Sequence, residues 1–487
     1  MILGDLARVL DAETFGDMNV RITSVSHVAS KCAPGDLFVA IKGFRFDGND
    51  YVQQAVAAGA VAILSEFPRP EHLKLPWLRV ANARQALARV AAEVYGHPSR
   101  FLQLIAVTGT NGKTTTVYLL DAVLRAAYSK SAMLSTVCTR VGEKVSASER
   151  TTPESTDIQR LLREAVDLGC PAAAMEASSH AIDLHRVDEL HFSSVVFTNL
   201  TQDHLDYHKT MQAYYEVKRR LFDGTLDVRN AMAAINIDCP YGKRLIGETV
   251  CPVISYGINS GQVRALGYEM SIEGLWLAVE VMGEQVEIRS KLVGRPNVYN
   301  ILAAIAATRS IGIDMGKIVK GVESLERVPG RFDRVPFDGD FAVFVDYAHT
   351  DDALSNVLAT AREVAKGRVI CLFGCGGDRD PLKRPKMGKA AALGSDLVIL
   401  TSDNPRSEDP EKIMDQAEEG LRQVGRPYKR VADRREAIGL AISLARAGDV
   451  VVLAGKGHED YQLIGDKKLH FDDREVAAEY LAAYQRT

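Results

Sequence analysis

The sequence predicts an α/β protein of three domains: a small α/β unit, a central parallel sheet with appended antiparallel strands, and a C-terminal Rossmann-like sheet. Three observations lead there. Short apolar runs alternate with stretches of helical spacing along most of the chain, the pattern of strands joined by helical crossovers. That pattern is interrupted at His97-Pro98-Ser99 and again at Val328-Pro329-Gly330, where turn residues break it. Residues 262–293 switch to period-two alternation, the mark of half-buried antiparallel strands.

At 487 residues the chain is too long for one ordinary core. Its 46% hydrophobic and 25% charged residues are those of a globular protein, and a net charge of −4 offers no electrostatic footprint for nucleic acid. Seven cysteines, odd in number and scattered, carry no paired metal-ligand spacing, and Cys371 and Cys375 lack the second pair of a zinc site. Residues 1–5 lack the basic-then-apolar order of a signal peptide, and no apolar run is long enough to span a bilayer. A cytoplasmic protein without membrane association is expected.

Residues 1–98 read as the first domain, with strands at 36–41 and 61–64 around a helix at 51–58. The intervening loop holds Phe44 and Arg45 between glycines, a composition suited to stacking on a base and pairing with a phosphate, or to a plain solvated loop.

Residues 99–332 read as the second domain. Apolar residues 104–107 form a strand, Gly109-Thr110-Asn111-Gly112-Lys113-Thr114-Thr115 a tight turn, and 117–125 a helix. Glycines let the backbone approach an anion, amide groups and the positive helix end attract it, and the lysine reaches its outer oxygens. A P-loop ATPase-like domain binding ATP or GTP follows, in which the Thr114 hydroxyl can ligate magnesium. Val107 stands where the eight-residue form of this loop has glycine, so the loop is shorter. Strands at 172–175, 194–198 and 233–236 complete the sheet, and two of them end in polar residues that include Glu176 and His204. At the C-terminal ends of such strands, these are candidate magnesium ligands. Residues 275–288 form the appended hairpin, and Asn297 to Asn300 is expected to open a helix running to Thr308.

Residues 333–487 read as the third domain, with strands at 342–345, 369–373, 397–401 and 450–453. Their ends carry Asp346 and His349, the Gly374–Asp380 loop, Asp403-Asn404-Pro405-Arg406, and Gly455 to Glu459. Four polar strand ends on one sheet edge predict a ligand site, although each alone would pass as a turn. The glycine loop does not match the dinucleotide fingerprint, so NAD is not inferred.

Taken together, the 109–116 loop, Met175 to His180, Thr198 to His208, Gly294 to Asn300 and Asp346 to Thr350 resemble the Mur ligases over nearly the whole chain. The Gly374–Asp380 and Ala454–Glu459 segments are similar to those of the members that add the third residue of the peptidoglycan stem. The resemblance implies domains for UDP-sugar, ATP and amino acid in that order, and an acyl-phosphate route to an amide. It implies that Lys113, Glu176, His204 and Lys218 do the catalytic work, Lys218 as a carbamate that ligates magnesium with Thr114, Glu176 and His204. Gly109 to Thr115, Asn297, Arg331, Asp346 and His349 would hold ATP. Ser26, Phe44, Arg45, Thr151, Thr152, Ser178 and Arg186 would hold UDP-N-acetylmuramoyl-L-Ala-D-Glu. Arg379, Asp403, Asn404, Pro405, Arg406, Gly455 and Glu459 would hold meso-diaminopimelate, whose second carboxylate suits a guanidinium fork. The protein would act as a monomer. L-lysine or another diamine is the alternative substrate, and a folylpolyglutamate synthase-like ligase or a regulatory ATPase are more distant ones. Asp351, Pro381-Leu382 and Leu184 depart from the family pattern in loops.

Overall fold

The computed structural model describes residues 1–43 and 46–484, so the candidate residues Phe44 and Arg45 lie outside the described residues. Among the described residues four sheets form, one of them a two-stranded hairpin, and the chain divides into two compact units. The first unit comprises Met1–Arg264, Val281–Gly283 and Asn300–Gly321, and the second comprises Ala265–Glu280, Glu284–Tyr299 and Val322–Thr487.

In the first unit, five short strands form the N-terminal sheet in the order Glu13–Phe15, Trp77–Arg79, Ala62–Ser65, Asp36–Val39, Ser24–Ser26. All pairs are parallel except the first. The two inner strands are buried at every residue, as apolar runs covered on both faces must be. Leu37, Val39 and Leu64 face one core with Leu87 and Val90, while Phe38, Ile63 and Trp77 face another with Ala55. The helix expected at 51–58 is Val52–Ala58, with one 3₁₀ turn, Gly48–Tyr51, before it.

Eight of the eleven strands of the central sheet run, in order, Lys144–Ala147, Cys138–Val141, Ala132–Leu134, Ala172–Glu176, Gln103–Thr108, Ser194–Phe197, Met232–Asn236, Val253–Gly257. The last six are parallel and the first two antiparallel. The chain leaves Gln103–Thr108 to one side and returns on the other, so a ligand crevice lies outside its C-terminal end. Helix Lys113–Tyr128 starts directly beyond that end. The two antiparallel edge strands escaped sequence reading because Lys144–Ala147 is exposed at every residue and carries no alternating signal.

The expected hairpin is Gly274–Val281 and Glu284–Ser290. Strict alternation of burial along its first strand matches the period read from the sequence. One expectation is corrected: the helix expected to open at Asn297 and run to Thr308 starts at Arg295 and runs to Ser310, so Asn297 lies inside it. Its side-chain amide donates to Val293 O at 2.8 Å.

The C-terminal sheet has the order Asp333–Arg334, Ala342–Asp346, Val450–Ala454, Val369–Phe373, Leu397–Leu400, Tyr428–Arg430, parallel except for the first pair. Helices Asp351–Val364, Lys383–Gly394 and Pro410–Val424 cover one face, and Arg434–Leu444 with Asp473–Tyr484 the other. Both faces are therefore buried, the doubly wound arrangement expected of a Rossmann-like sheet. Gly388 and Gly420 let two of these helices touch backbone to backbone: a Cβ on Gly420 would stand 1.8 Å from Pro385 O.

Candidate functional site

The turn after Gln103–Thr108 is built so that only glycine fits at two places. Gly109 has φ +145° and a Cβ there would lie 1.9 Å from Thr198 Oγ1; Gly112 has φ +88° and a Cβ would lie 2.4 Å from Asn300 Oδ1. The neighbouring strand end straps the loop down. Thr110 N donates to Asn199 O at 2.9 Å, Asn111 N to Asn199 Oδ1 at 3.0 Å, and Thr198 Oγ1 to Asn111 O at 2.7 Å. Lys113 Nζ bonds the loop carbonyls of Gly109 and Thr110 at 2.9 and 2.8 Å. Thr115 is buried in the first turn of the helix.

Glu176 ends the strand on the other side. Its Oε1 accepts from Thr136 N at 2.6 Å and its Oε2 from the Thr114 hydroxyl at 3.1 Å. Thr136 Oγ1 bonds Thr151 Oγ1 at 3.1 Å. Thr152 Oγ1 bonds Glu176 O at 2.8 Å and reaches Ser178 Oγ at 3.2 Å, and Arg186 reaches Thr152 O at 3.2 Å and Glu154 at 2.9 Å. The fold thus brings Thr114, Thr151, Thr152, Glu176, Ser178 and Arg186 into one connected network. Ser26 ends its own strand and its hydroxyl bonds Val28 O at 3.0 Å. Next to it, His27 Nδ1 lies 3.2 Å from Thr156 Oγ1, joining the N-terminal sheet to the helix after Thr152.

Lys218 is buried, with Nζ bonding Gly109 O at 2.9 Å and lying 4.7 Å from the Tyr214 ring centroid. Burial first, and then the charge of Lys113, hold its ammonium well below the ordinary lysine range. His204 packs edge-on against His180 at 4.8 Å, with Nε2 3.5 Å from Asp203. Desolvation first, then His180, Lys113 and Lys218, push its pKa down to about 4, so the ring is neutral at pH 7. Among the described residues no three His, Cys, Asp or Glu side chains form a ready-made metal cage.

In the second unit, Asp346 accepts from Phe332 N at 2.7 Å and Ala348 N at 2.8 Å. Burial pushes its carboxyl up to about 6 against the pull of Arg331. The Arg331 guanidinium lies 5.2 Å over the Tyr347 ring, and the His349 ring lies 4.6 Å from the same ring. Tyr347 therefore gathers Arg331, Asp346 and His349 around one strand end.

The other strand ends interlock. Gly377 N donates to Asn404 O at 2.9 Å, and Arg406 Nη1 donates to Gly377 O at 2.6 Å. Asn404 Nδ2 donates to Glu459 Oε2 at 2.8 Å. Gly455, at φ +115°, passes so close that a Cβ would lie 2.7 Å from Asp403 Oδ2. Arg406 itself has φ +52°, a conformation costly for a side-chain-bearing residue, next to Pro405. Arg379 is exposed on the 374–380 loop.

Several contributors went unread in the sequence. Lys456 is fully buried, with Nζ 4.0 Å from Asp403 and 3.7 Å from Glu459. The hairpin Tyr461–Ile464 and Lys467–His470 covers the loops, with Leu463 N donating to Asn404 Oδ1 at 2.9 Å. Thr136 could be found only from the register of Ala132–Leu134 beside Ala172–Glu176.

Family models match in three stretches: the Mur ligase middle domain at residues 107–308, the Mur ligase glutamate ligase domain at 330–457, and the Mur ligase family catalytic domain at 21–95. A UDP-N-acetylmuramoyl-L-alanyl-D-glutamate--2,6-diaminopimelate ligase of Geobacter metallireducens is 46% identical, over 98% of each chain. The chain belongs to the Mur ligase family. A ligase of the same name from Geobacter sulfurreducens is 44% identical to this Mur ligase over 98% of each chain. A solved structure carrying that name superimposes on it with a TM-score of 0.70 at 31% identity, over the full length of both chains.

Proposed function

We propose that this Mur ligase uses ATP to join meso-diaminopimelate to the D-glutamate side-chain carboxylate of UDP-N-acetylmuramoyl-L-alanyl-D-glutamate, releasing ADP and phosphate. Full-length similarity to ligases of that name supports the reading. The observation that carries it is the fork at Arg406, held in a costly backbone conformation beside the Asn404–Glu459 pair. The Arg406 guanidinium bonds Gly377 O and its charge acts on Glu459, a pairing of cation and anion that suits an amino acid whose far end is a zwitterion.

Residues 1–98 would take the UDP-sugar, 99–332 ATP, and 333–487 the amino acid. The Gly109–Gly112 loop, with Lys113, Thr114 and Thr115, would cradle the phosphates, the amides of Thr110 and Asn111 leaving Asn199 to do so. Arg331, Asp346, His349 and Asn297 would serve the rest of the nucleotide. Ser26, Thr151, Thr152, Ser178 and Arg186, with Phe44 and Arg45, would position the dipeptide substrate.

The donors present suit magnesium, since Thr114 and Glu176 offer oxygens already in contact, 3.1 Å apart. Thr114, Glu176, His204 and a carbamate on Lys218 would hold it. Bound there, it would supply charge screening between substrate carboxylate and triphosphate. Lys218 is suited to carbamylation because its lowered pKa favours the free amine that adds to carbon dioxide. In the reaction, a glutamate oxygen takes the γ-phosphoryl group, ADP leaves, the amine attacks the acyl carbon, and phosphate departs. Lys113 would neutralise charge on the transferred group; the loop carbonyls it now bonds would release it.

No described helix is long and apolar enough to cross a membrane. The protein is proposed to act as a monomer in the cytoplasm. Phosphate release from ATP tests the reaction: it should require both the UDP-muramoyl dipeptide and diaminopimelate. Release indifferent to either would contradict it.

A further inference from the structure

Arg434 and Asp473 form an ion pair from which water is fully excluded, both side chains being 0% exposed. The pairing is bidentate, with Nε 2.7 Å from Oδ1 and Nη2 2.6 Å from Oδ2. The guanidinium has two further bonds, Nη1 to Ser402 O at 3.3 Å and Nη2 to Ala454 O at 3.1 Å. These two carbonyls belong to the residues immediately before Asp403 and Gly455.

The strands that lead into those turns are not neighbours. Leu397–Leu400 and Val450–Ala454 are separated in the sheet by Val369–Phe373, so no backbone ladder links them directly. The guanidinium spans that gap from the sheet face covered by Arg434–Leu444 and Asp473–Tyr484. The spacing it spans is tight, as a Cβ on Gly455 would stand 2.7 Å from Asp403 Oδ2. Further out, the same two turns carry Asn404 and Glu459, which meet at 2.8 Å. Stability alone does not call for such a pair, because well-packed apolar residues of similar volume serve a buried site equally well or better.

We infer that the Arg434–Asp473 pair is a positioning device for the amino-acid pocket, setting the distance between the turns that carry Asp403-Asn404 and Gly455–Glu459. The inference rests on the assignment of those turns to the amino acid. Arg434 touches no reacting atom; it acts through the two carbonyls.

The test compares Michaelis constants for diaminopimelate, ATP and the UDP-muramoyl dipeptide in the full-length enzyme. Arg434→Met with Asp473→Leu removes both charges together, so no lone buried charge is left to unfold the protein. Arg434→Lys, a second variant, keeps the charge and loses the fork. In both, the diaminopimelate KM should rise about tenfold or more while the other two stay within about twofold, since loss of register acts on the pocket alone. Equal rises in all three constants, or an unchanged diaminopimelate KM, would overturn the positioning role. Arg406→Ala, measured alongside, separates the two levels. If it raises the diaminopimelate KM and the Arg434 variants do not, positioning fails and the pocket assignment stands. If Arg406→Ala leaves that KM unchanged, the pocket assignment fails and the inference with it.

Discussion

The Thr114 hydroxyl donates to Glu176 Oε2 at 3.1 Å. This bond joins the first turn of the helix after the glycine loop to the end of the neighbouring parallel strand, across the crevice where such sheets bind ligands. Thr114→Ala leaves the other Glu176 oxygen bonded to Thr136 N, so the fold should hold. Phosphate release should nonetheless slow by about 100-fold, the scale of losing one preorganised electrostatic partner. Steady-state kinetics beside a thermal melt checks both halves; undiminished turnover would remove Thr114 from the phosphate site.

Gly112→Ala should damage the loop itself. It demands φ +88° of a residue with a side chain and puts a carbon 2.4 Å from Asn300 Oδ1. A loss of about 1–3 kcal/mol is expected from the strained backbone. Urea unfolding measures this, and calorimetric titration with ATP should show binding reduced beyond detection. Normal ATP affinity would mean that the loop tolerates a different path.

Lys218 yields a spectroscopic prediction. Its depressed pKa, caused first by burial, makes the free amine accessible near neutral pH, and acid reprotonates it. Protein equilibrated with ¹³C-labelled bicarbonate should therefore show a carbamate resonance that fades as pH falls. Lys218→Met should lack that resonance and lose activity while remaining folded. A wild-type spectrum without it would remove the carbamate from the account.

Asp346 has a folded pKa raised to about 6 from 3.8, chiefly by burial. The folded state therefore binds its proton more tightly than the unfolded chain does. This group's contribution is most favourable at low pH and is lost as pH rises from about 4 through 6. Asp346→Asn removes that slope. The difference in urea midpoint between variant and wild type should shift in the variant's favour between pH 4 and pH 7; a constant difference would contradict the raised pKa.

Much of this was legible in the sequence because parallel strands announce themselves. Val369–Phe373 lies where the apolar run predicts it, and Ala172–Glu176, Ser194–Phe197 and Val450–Ala454 are offset by one residue at an end. Strands with exposed residues were harder. Lys144–Ala147 and Lys467–His470 are exposed throughout, so partner strands rather than their own pattern define them. The helix expected to open at Asn297 starts two residues earlier, at Arg295, and the Asn297 amide reaches back to Val293 O from inside it. In the candidate site, strand-end polar residues such as Glu176 and Asp403 could be named from position alone. Thr136, Lys456 and Arg434 could not, since their importance comes from register and burial, which a single chain does not display.

The central claim is selection of a diamino acid by its second carboxylate, and kcat/KM for meso-diaminopimelate against L-lysine tests it most directly. Both should be measured with purified protein, ATP and the UDP-muramoyl dipeptide. The account predicts a preference for diaminopimelate of about 10⁴ or more, because a site built to bond a charged group is left with buried polar atoms unpaired when that group is missing. Equal values for the two amino acids would contradict it.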